Sequence, residues 1–323
     1  MNQHRYIVAV VIPAFRQYEY LRKAVESLLK IDFPPDQWEA IVIDSSPTEE
    51  NLRVVEAIAK TAPFRLRCVR RNAEGPGPSR NLGVQLTDSE FIAFMDSDCE
   101  ATPAWLSEGL SAFAEGIGIV QGRTLPTQDG VITSRTWYLR VEKETPYYET
   151  ANIFYRRAAF EQTHGFPADA HANRSRHMGG EDVVVAWTAI RLGWKTRFSA
   201  EALVYHALVP MPAWRMVFVK HWYIKPGLVR RFPELRRHLY LGCFLDRYQA
   251  LITLGVLGAV AGLGIHPLGW LLITPYLFVR LAEPGGRMKG ILKPLRLISH
   301  GTRDLSTFAV LLAGSLRYRS IVL

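Results

Sequence analysis

Phe91-Ile92-Ala93-Phe94-Met95-Asp96-Ser97-Asp98 is the stretch on which the fold turns. Five apolar residues in a row read as a strand covered on both faces. They run straight into two carboxylates at i and i+2, which therefore sit at the strand's exposed carboxyl end. Two acids so placed can hold a hard divalent cation, and a cation there can bridge a diphosphate. A solvated turn or a helix cap is the plainer alternative. Thr102-Pro103 already offers a cap and a first-turn proline for the next helix, which weakens it.

Working outward, the first hundred residues alternate strand and helix. Tyr6–Ile12 is a nearly continuous Val/Ile run closed by Pro13. Leu21, Ala24, Val25, Leu28 and Leu29 then recur at helical spacing. Glu39–Asp44 is a second apolar run, followed by Ser45-Ser46-Pro47 and by a polar helix carrying Val54, Val55 and Ile58 on one face. Arg65–Arg70 alternates as a third strand. Gly75-Pro76-Gly77-Pro78 leads into a short helix near Arg80–Leu86, before the strand Phe91–Met95. This alternation predicts a parallel sheet with helices on both faces. Such sheets bind ligands at the carboxyl ends of their strands, where Pro13, Ala14, Phe15, Asp44, Asp96 and Asp98 fall. Residues 100–200 are less regular, with helices expected over Ala158–His164 and Asp182–Leu192. The polar Gly165–Gly180 is long enough for a loop inside a domain to be functional.

The chain has 323 residues, 48% of them hydrophobic, and a formal charge of +9, so an anionic partner is expected. From Tyr240 onward nine Lys/Arg face three Asp/Glu between long apolar runs. That pattern suits a membrane surface, and no nucleic-acid-binding signature is present. Between Arg247 and Arg280 lie 32 residues without a formal charge, His266 aside, broken by His266-Pro267-Leu268-Gly269. Each half is about 21–26 Å long as helix, short of a ~30 Å hydrocarbon core. A thin or re-entrant hairpin fits. A basic linker follows (Arg287, Lys289, Lys293, Arg296, Arg303), and Leu305–Leu316 before Arg317-Tyr318-Arg319 reads as an interfacial segment. The expected division is a catalytic domain over 1–238 and a membrane-associated region over 239–323. Cys68, Cys99 and Cys243 make neither a disulfide framework nor a zinc site, so a reducing compartment is the default. The run Tyr6–Phe15 lacks a small-residue cleavage site and reads as a first strand rather than a secretory signal.

Further residues carry candidate chemistry. Asp44 can accept a hydrogen bond from a nucleobase or ribose, or close an Asx turn with Ser46 or Pro47. Arg80 at a helix start, with Arg71 before it, offers the planar fork that suits phosphate. Gly179-Gly180-Glu181-Asp182 opens a helix. Its acids either favour the helix dipole or supply a general base. His206, after Leu203-Val204-Tyr205, is a structural histidine or a neutral metal ligand.

Taken in order, Pro13-Ala14-Phe15, Asp44, Arg80-Asn81, Asp96-Ser97-Asp98 and Gly180-Glu181-Asp182 resemble family 2 glycosyltransferases of the GT-A fold, of the bacterial membrane-associated kind. Asn152–Arg157 and His164-Gly165-Phe166 resemble that family's acceptor-side region. The likeness covers roughly residues 6–235. It implies a Rossmann-like, mostly parallel GT-A domain and a nucleotide-sugar donor, a UDP-sugar being favoured, with inversion at the anomeric carbon. It also implies a divalent ion (Mn2+ or Mg2+) on Asp98, a nucleobase contact from Asp44 and Asp182 as base. The residues themselves add His206 as a further metal ligand, Arg71, Arg80 and Asp96 as donor contacts, and Glu181 as a second catalytic candidate beside Asp182. The family often shows two acids after the second strand, whereas this chain has Asp44-Ser45. No Gln-x-x-Arg-Trp motif follows the base, so transfer of a single hexose is expected. The acceptor is expected to be lipid-linked or a surface-glycan precursor, on the cytoplasmic face of the inner membrane. Two rivals are a nucleotidyltransferase, which needs a Gly-rich basic loop after the first strand, and a membrane scaffold with no activity, from which such acids are typically lost.

Overall fold

The apolar runs of the first hundred residues all become strands. The computed structural model describes residues 5–133, 135–167, 179–212, 214–215, 220–282 and 293–323. It divides into two compact units, Met1–Pro210 and Met211–Leu323. The change in composition puts the expected boundary at 238, and division by compactness falls earlier, after Pro210. The first unit runs β1 (Tyr6–Ala14), α1 (Tyr18–Leu28), β2 (Trp38–Asp44), α2 (Glu50–Ala59), β3 (Arg65–Arg70), α3 (Pro76–Gln85), β4 (Ser89–Met95), β5 (Cys99–Ala101), α4 (Trp105–Ser111), β6 (Ile117–Pro126), β7 (Thr136–Trp137), β8 (Asn152–Arg156), α5 (Arg157–Gln162), α6 (Glu181–Arg191), β9 (Lys195–His206) and β10 (Val209–Pro210).

Eight strands form one mixed sheet in the order β3-β2-β1-β4-β8-β6-β9-β5, and β7 pairs with β10 apart from it. The half from β3 to β4 is parallel throughout. Strand β8 enters antiparallel between β4 and β6, β9 lies parallel to β6, and β5 closes the edge antiparallel to β9. Within this half β2, β1 and β4 read as nearly continuous apolar runs because helices cover both faces, whereas the edge strand β3 alternates. Register then aligns the strand ends: Ala14 lies opposite Asp44, and Cys99 lies opposite His206.

Several local expectations change. Thr102 does not cap a helix: its hydroxyl donates to the Leu203 carbonyl at 3.0 Å and its N–H to the same oxygen at 3.1 Å. That commitment ties the end of β5 to β9, so α4 starts only at Trp105. The helix expected from Arg80 begins at Pro76, because Gly75 turns the chain at φ 100° and Pro76 suits the first turn. Leu203–Tyr205 proves to be the end of a twelve-residue strand. Residues 168–178, most of the polar loop before Gly179, lie outside the described residues.

The second unit is helical, with α7 (Lys225–Arg231), α8 (Arg247–Gly264), α9 (Thr274–Ala282) and α10 (Lys293–Tyr318), and a 3-10 segment Pro267–Ile273 before α9. Asp246 caps α8 by accepting from Tyr248 N and Gln249 N at 2.8 and 2.9 Å. Asp304 on α10 accepts from Tyr276 Oη at 2.7 Å and Arg280 Nε at 3.0 Å, which ties α9 to α10. The stretch Leu305–Leu316 belongs to the single 26-residue helix α10. Arg287 and Lys289 of the basic linker lie outside the described residues, as do the side chains of Lys293 and Arg296. Among the described residues α8 alone is long and apolar enough to cross a membrane, at 18 residues and a mean hydropathy of 1.2.

Helix α3, which carries Arg80, lies close on the sheet because of Gly83. A Cβ at that position would meet Val11 Cγ1 at 2.4 Å and Ile43 Cγ1 at 3.4 Å. Both neighbours are fully buried, so Gly83→Ala should cost about 1–3 kcal/mol by overpacking. Thermal melts should show a fall of about 2–4 °C for each kcal/mol in a unit of this size.

Candidate active site

A cavity of about 640 Å³ opens at the carboxyl ends of β1, β2 and β4 and at the start of α3. Pro13, Ala14, Phe15, Arg80, Asp96 and Asp98 line it. Gln17, Ser45, Ala73, Gly75, Pro76, Ser79 and Ser97 complete the wall. Its size suits a small-molecule ligand.

The β1 side is held in an unusual backbone. Arg16 and Gln17 are consecutive non-glycine residues at φ 59° and 55°. Such left-handed residues persist only when their surroundings hold them. Here Arg16 N donates to Ser46 Oγ at 2.7 Å, and Asn51 Nδ2 donates to Arg16 O at 3.3 Å. Asn51 Nδ2 also reaches Asp44 Oδ1 at 3.0 Å. Asp44 closes the Asx turn with Ser46 N at 3.0 Å. Asp44 is fully buried, and its Oδ2 accepts no hydrogen bond. The nearest cation to it is Arg70 Nε at 3.9 Å. Asp44 thus braces the loop whose next residue, Ser45, faces the cavity. Ser45 Oγ lies 3.1 Å from Ser79 Oγ, which pins the β2 loop to α3.

Arg80 occupies the centre. Its Nη2 donates to Asp96 Oδ1 at 2.6 Å, its Nη1 lies 3.9 Å from Glu181 Oε1, and its Cζ sits 5.5 Å over the Phe166 ring. Arg80 is 4% exposed. Arg80 Nε and Glu181 Oε2, both buried, have no hydrogen-bond partner among the described residues. One guanidinium therefore joins the end of β4 to the start of α6, with two polar atoms left open beside it. Arg71, in contrast, pairs with Glu74 and does not line the cavity.

Gly179 and Gly180, at φ 126° and 86°, turn the chain into α6. Asp182 follows, with Oδ1 accepting from Val183 N at 2.9 Å. Burial, then the neighbouring Glu181 carboxylate, pushes the Asp182 carboxyl up to about 7. A carboxylate that exchanges its proton near neutrality is suited to act as a base.

His206 lies at the end of β9 and is 1% exposed. Its Nδ1 is 2.7 Å from the Ala207 carbonyl oxygen, so Nδ1–H donates there. Nε2 is left facing Asp98 Oδ2 at 3.5 Å. In the neutral ring that nitrogen is a lone pair opposite a carboxylate, the arrangement a cation between them would relieve. The Trp137 ring meets the imidazole edge-on at 4.8 Å. Burial pushes the Asp98 carboxyl up, against the pull of His206. Cys99 shares this cluster. Burial and then Asp98 push its thiol well up, which disfavours a thiolate ligand. An oxygen and imidazole set fits a divalent ion of the Mn2+ or Mg2+ type better than a thiolate-bound one.

The structure thus gathers Pro13, Ala14, Phe15, Arg80, Asp96 and Asp98 around one cavity. It sets Glu181 on Arg80 and His206 on Asp98, and holds Asp44 and Arg71 back from the wall. Asn51, Ser79 and Trp137 were not legible. Asn51 lies on a polar helix face, and its role appears only when α2 packs beside β2. Tyr155, whose buried hydroxyl has no hydrogen-bond partner among the described residues, lies in the strand Asn152–Arg156, within the segment expected on the acceptor side.

A Glycosyl transferase family 2 model matches residues 9–177, a little over half of the chain. The Staphylococcus aureus (strain Mu50) poly(ribitol-phosphate) beta-N-acetylglucosaminyltransferase TarS is 31% identical over 90 residues, 28% of this chain and 16% of that protein. A Campylobacter jejuni GalNAc(5)-diNAcBac-PP-undecaprenol beta-1,3-glucosyltransferase is 27% identical over 139 residues, 43% of this chain and 44% of that one. The matched segments therefore span well under two thirds of either relative. In structure, the mannosyltransferase PcManGT from Pyrobaculum calidifontis, in complex with GDP-Man and Mn2+, superposes with a TM-score of 0.60 at 18% identity. That likeness covers 98% of this chain and 88% of that one, and it establishes the fold.

The Asp98–His206 geometry makes a prediction that needs no substrate. In calorimetric titration with Mn2+, Asp98→Asn should abolish binding and His206→Ala should weaken it at least about tenfold, the scale of losses from damaged metal sites. Unchanged affinity in His206→Ala, with its melting temperature retained, would return His206 to a purely structural role.

Proposed function

The chain belongs to glycosyl transferase family 2, and on that premise we propose that it is an inverting glycosyltransferase that moves a single hexose from a nucleotide sugar to an acceptor hydroxyl. The observation that carries this reading is the Arg80 bridge. Arg80 holds Asp96 at 2.6 Å and stands 3.9 Å from Glu181, so the strand end suited to a diphosphate and the helix start bearing a base share one buried guanidinium.

The residues divide the work. Pro13, Ala14, Phe15 and Asp96 form the wall for the nucleotide and sugar, and Arg80 Nε is a free N–H for a phosphate or sugar oxygen. Arg71 reaches the donor only by leaving Glu74. Asp98 and His206 would hold a divalent ion, whose charge would offset that developing on the leaving diphosphate. Asp182 takes the proton of the acceptor hydroxyl. That oxygen bonds the anomeric carbon from the face opposite the diphosphate, the carbon–oxygen bond to the diphosphate breaks, and the configuration inverts. Glu181 is engaged by Arg80 and serves to orient it, which leaves Asp182 as the group that exchanges a proton.

A uridine donor is favoured by the state of Asp44, once the loop that holds this residue back from the cavity wall admits the base. Ser46 N and Asn51 already occupy Oδ1, so Oδ2 alone is open. One acceptor matches the single ring N–H of uracil, whereas guanine presents a ring N–H together with an amino group. The acceptor is read as lipid-linked or a surface-glycan precursor, and the enzyme as attached to the cytoplasmic face of the inner membrane. Charge distribution supports this. Sixteen of the thirty-nine Lys/Arg but four of the thirty Asp/Glu fall in residues 211–323, a net of +12 there against −3 in residues 1–210. A strongly basic helical unit is drawn to an anionic leaflet.

Asp182→Asn is nearly isosteric and cannot accept the proton. Turnover should fall about 10²–10⁴-fold while calorimetric donor binding persists. In the wild type, kcat should rise with pH and level off above about 7, as the Asp182 carboxyl, raised to about 7, loses its proton. Residual activity of Asp182→Asn should lack that limb. An active Asp182→Asn beside an inactive Glu181→Gln would transfer the role of base to Glu181.

A further inference from the structure

Exposure rises along α8 in a way a water-facing helix does not need. Ile252 is 4% exposed, Leu257 60%, Leu263 79%, and Ile265, at the turn, 86%. With Val260 and Leu268 these residues form an apolar tip, and no residue from Tyr248 to Val279 other than His266 can carry a positive charge, nor any a carboxylate. The tip is preformed. Gly258 and Gly262 of α8 take the returning 3-10 segment at close range, where a Cβ on Gly258 would stand 2.6 Å from Gly269 O and one on Gly262 2.7 Å from the Trp270 ring.

The backbone of the turn supplies an independent observation. Ile265 N and His266 N donate to Ala261 O at 2.8 and 2.9 Å, and Gly269 N donates to His266 O at 2.9 Å. Leu268 N donates to the His266 ring at Nδ1, 3.2 Å away. Pro267 has no N–H. Every backbone donor from Ile265 to Gly269 is therefore satisfied inside the turn. Water would satisfy such groups at an exposed loop without help, whereas in hydrocarbon each orphan costs several kcal/mol.

We propose that this tip dips into the hydrocarbon of one leaflet of an anionic bilayer and does not cross it, an inference that rests on the membrane attachment proposed above. The dimensions set the depth. From Leu257 to Ile265 is about 12 Å of helix, within the ~15 Å of one leaflet. Below Leu257 the hairpin is packed in its own unit through Ile252 and Gln249. Tyr276 and Arg280, which close its other leg, are held by Asp304. A double crossing would carry that ion pair into the bilayer or break it. The occupant is a bilayer rather than a protein because protein interfaces are commonly wet and tolerate turns completed by water. The +12 charge of this unit also complements an anionic surface. A second apolar line on α10, at Ile298, Leu305, Leu312 and Leu316, is exposed at spacings of seven, seven and four. It suits a helix lying along the interface.

The experiment uses the full chain with vesicles of three parts phosphatidylcholine to one part phosphatidylglycerol. Wild type should cosediment and resist a high-salt wash. Leu263→Glu with Ile265→Glu should lose at least about tenfold in partition, since each charge costs a few kcal/mol in the acyl region. His266→Ala, which orphans the Leu268 N–H, should lose about fivefold. For topology, Ile265→Cys is placed in a Cys68→Ser, Cys243→Ser background. It should resist an impermeant maleimide both outside the vesicles and trapped within them, and react once detergent is added. Labelling by the trapped reagent would show a crossing, and labelling from outside on bound vesicles would show a tip that never enters. Either result overturns the inference and leaves membrane attachment standing. Failure of the wild type to bind vesicles at all would remove both.

Discussion

The site depends on a buried arginine shared between two acids. Arg80 is brought to the sheet by α3, whose approach Gly83 permits, and it reaches Asp96 on one side and Glu181 on the other. A guanidinium this deep is tolerable only when paired, and removing one partner of such a cluster commonly costs about 3–5 kcal/mol. The cluster therefore fixes the start of α6 relative to β4, two elements far apart in sequence. Two acids stand near one cation, so the cluster carries net negative charge. Burial first, and then the Glu181 carboxylate, keeps the neighbouring Asp182 protonatable near neutral pH against the opposing pull of Arg80.

The same logic explains the other edge. His206 is oriented by the Ala207 carbonyl and by the edge of Trp137, and its free nitrogen faces Asp98. Two electron-rich atoms held 3.5 Å apart by the β5–β9 register are what makes this edge a candidate for a positive charge. Nearby, Asp44 serves the cavity indirectly. Its Oδ1 is consumed in bracing the Arg16–Gln17 turn, which presents Phe15. The candidate site is braced by groups set back from the cavity wall, as metal ligands are by their outer-shell partners.

Charge divides the two units, with a net of −3 over residues 1–210 and +12 over 211–323, and the proposed membrane attachment draws on the basic one. In the helical unit, polar groups at the hairpin's base and satisfied backbone at its tip are the two conditions under which an apolar wedge can stand in water and still enter lipid.

Sequence alone determined the inner strands of the parallel half of the sheet, because strands covered on both faces must be apolar along their length and Tyr6–Ile12, Ala40–Ile43 and Phe91–Met95 are. It also placed Asp96 and Asp98 at the open end of a strand, since carboxylates directly after such strands can lie only there. Tertiary structure decided the rest. Strand β6 contains Gly118 and Gly122, which admit Trp194 and Asn152, so its pattern shows no alternation until those neighbours are in place. Thr102 looked like a cap because local rules favour it, but Leu203, a hundred residues away, claimed its hydroxyl. Whether Asp44 faces ligand or loop depended on Asn51. Whether the apolar hairpin could shield its turn depended on a histidine ring folding back onto its own backbone. Hydrogen-bond partners are set by three-dimensional proximity, which local propensity does not encode, whereas burial leaves its period in the sequence itself.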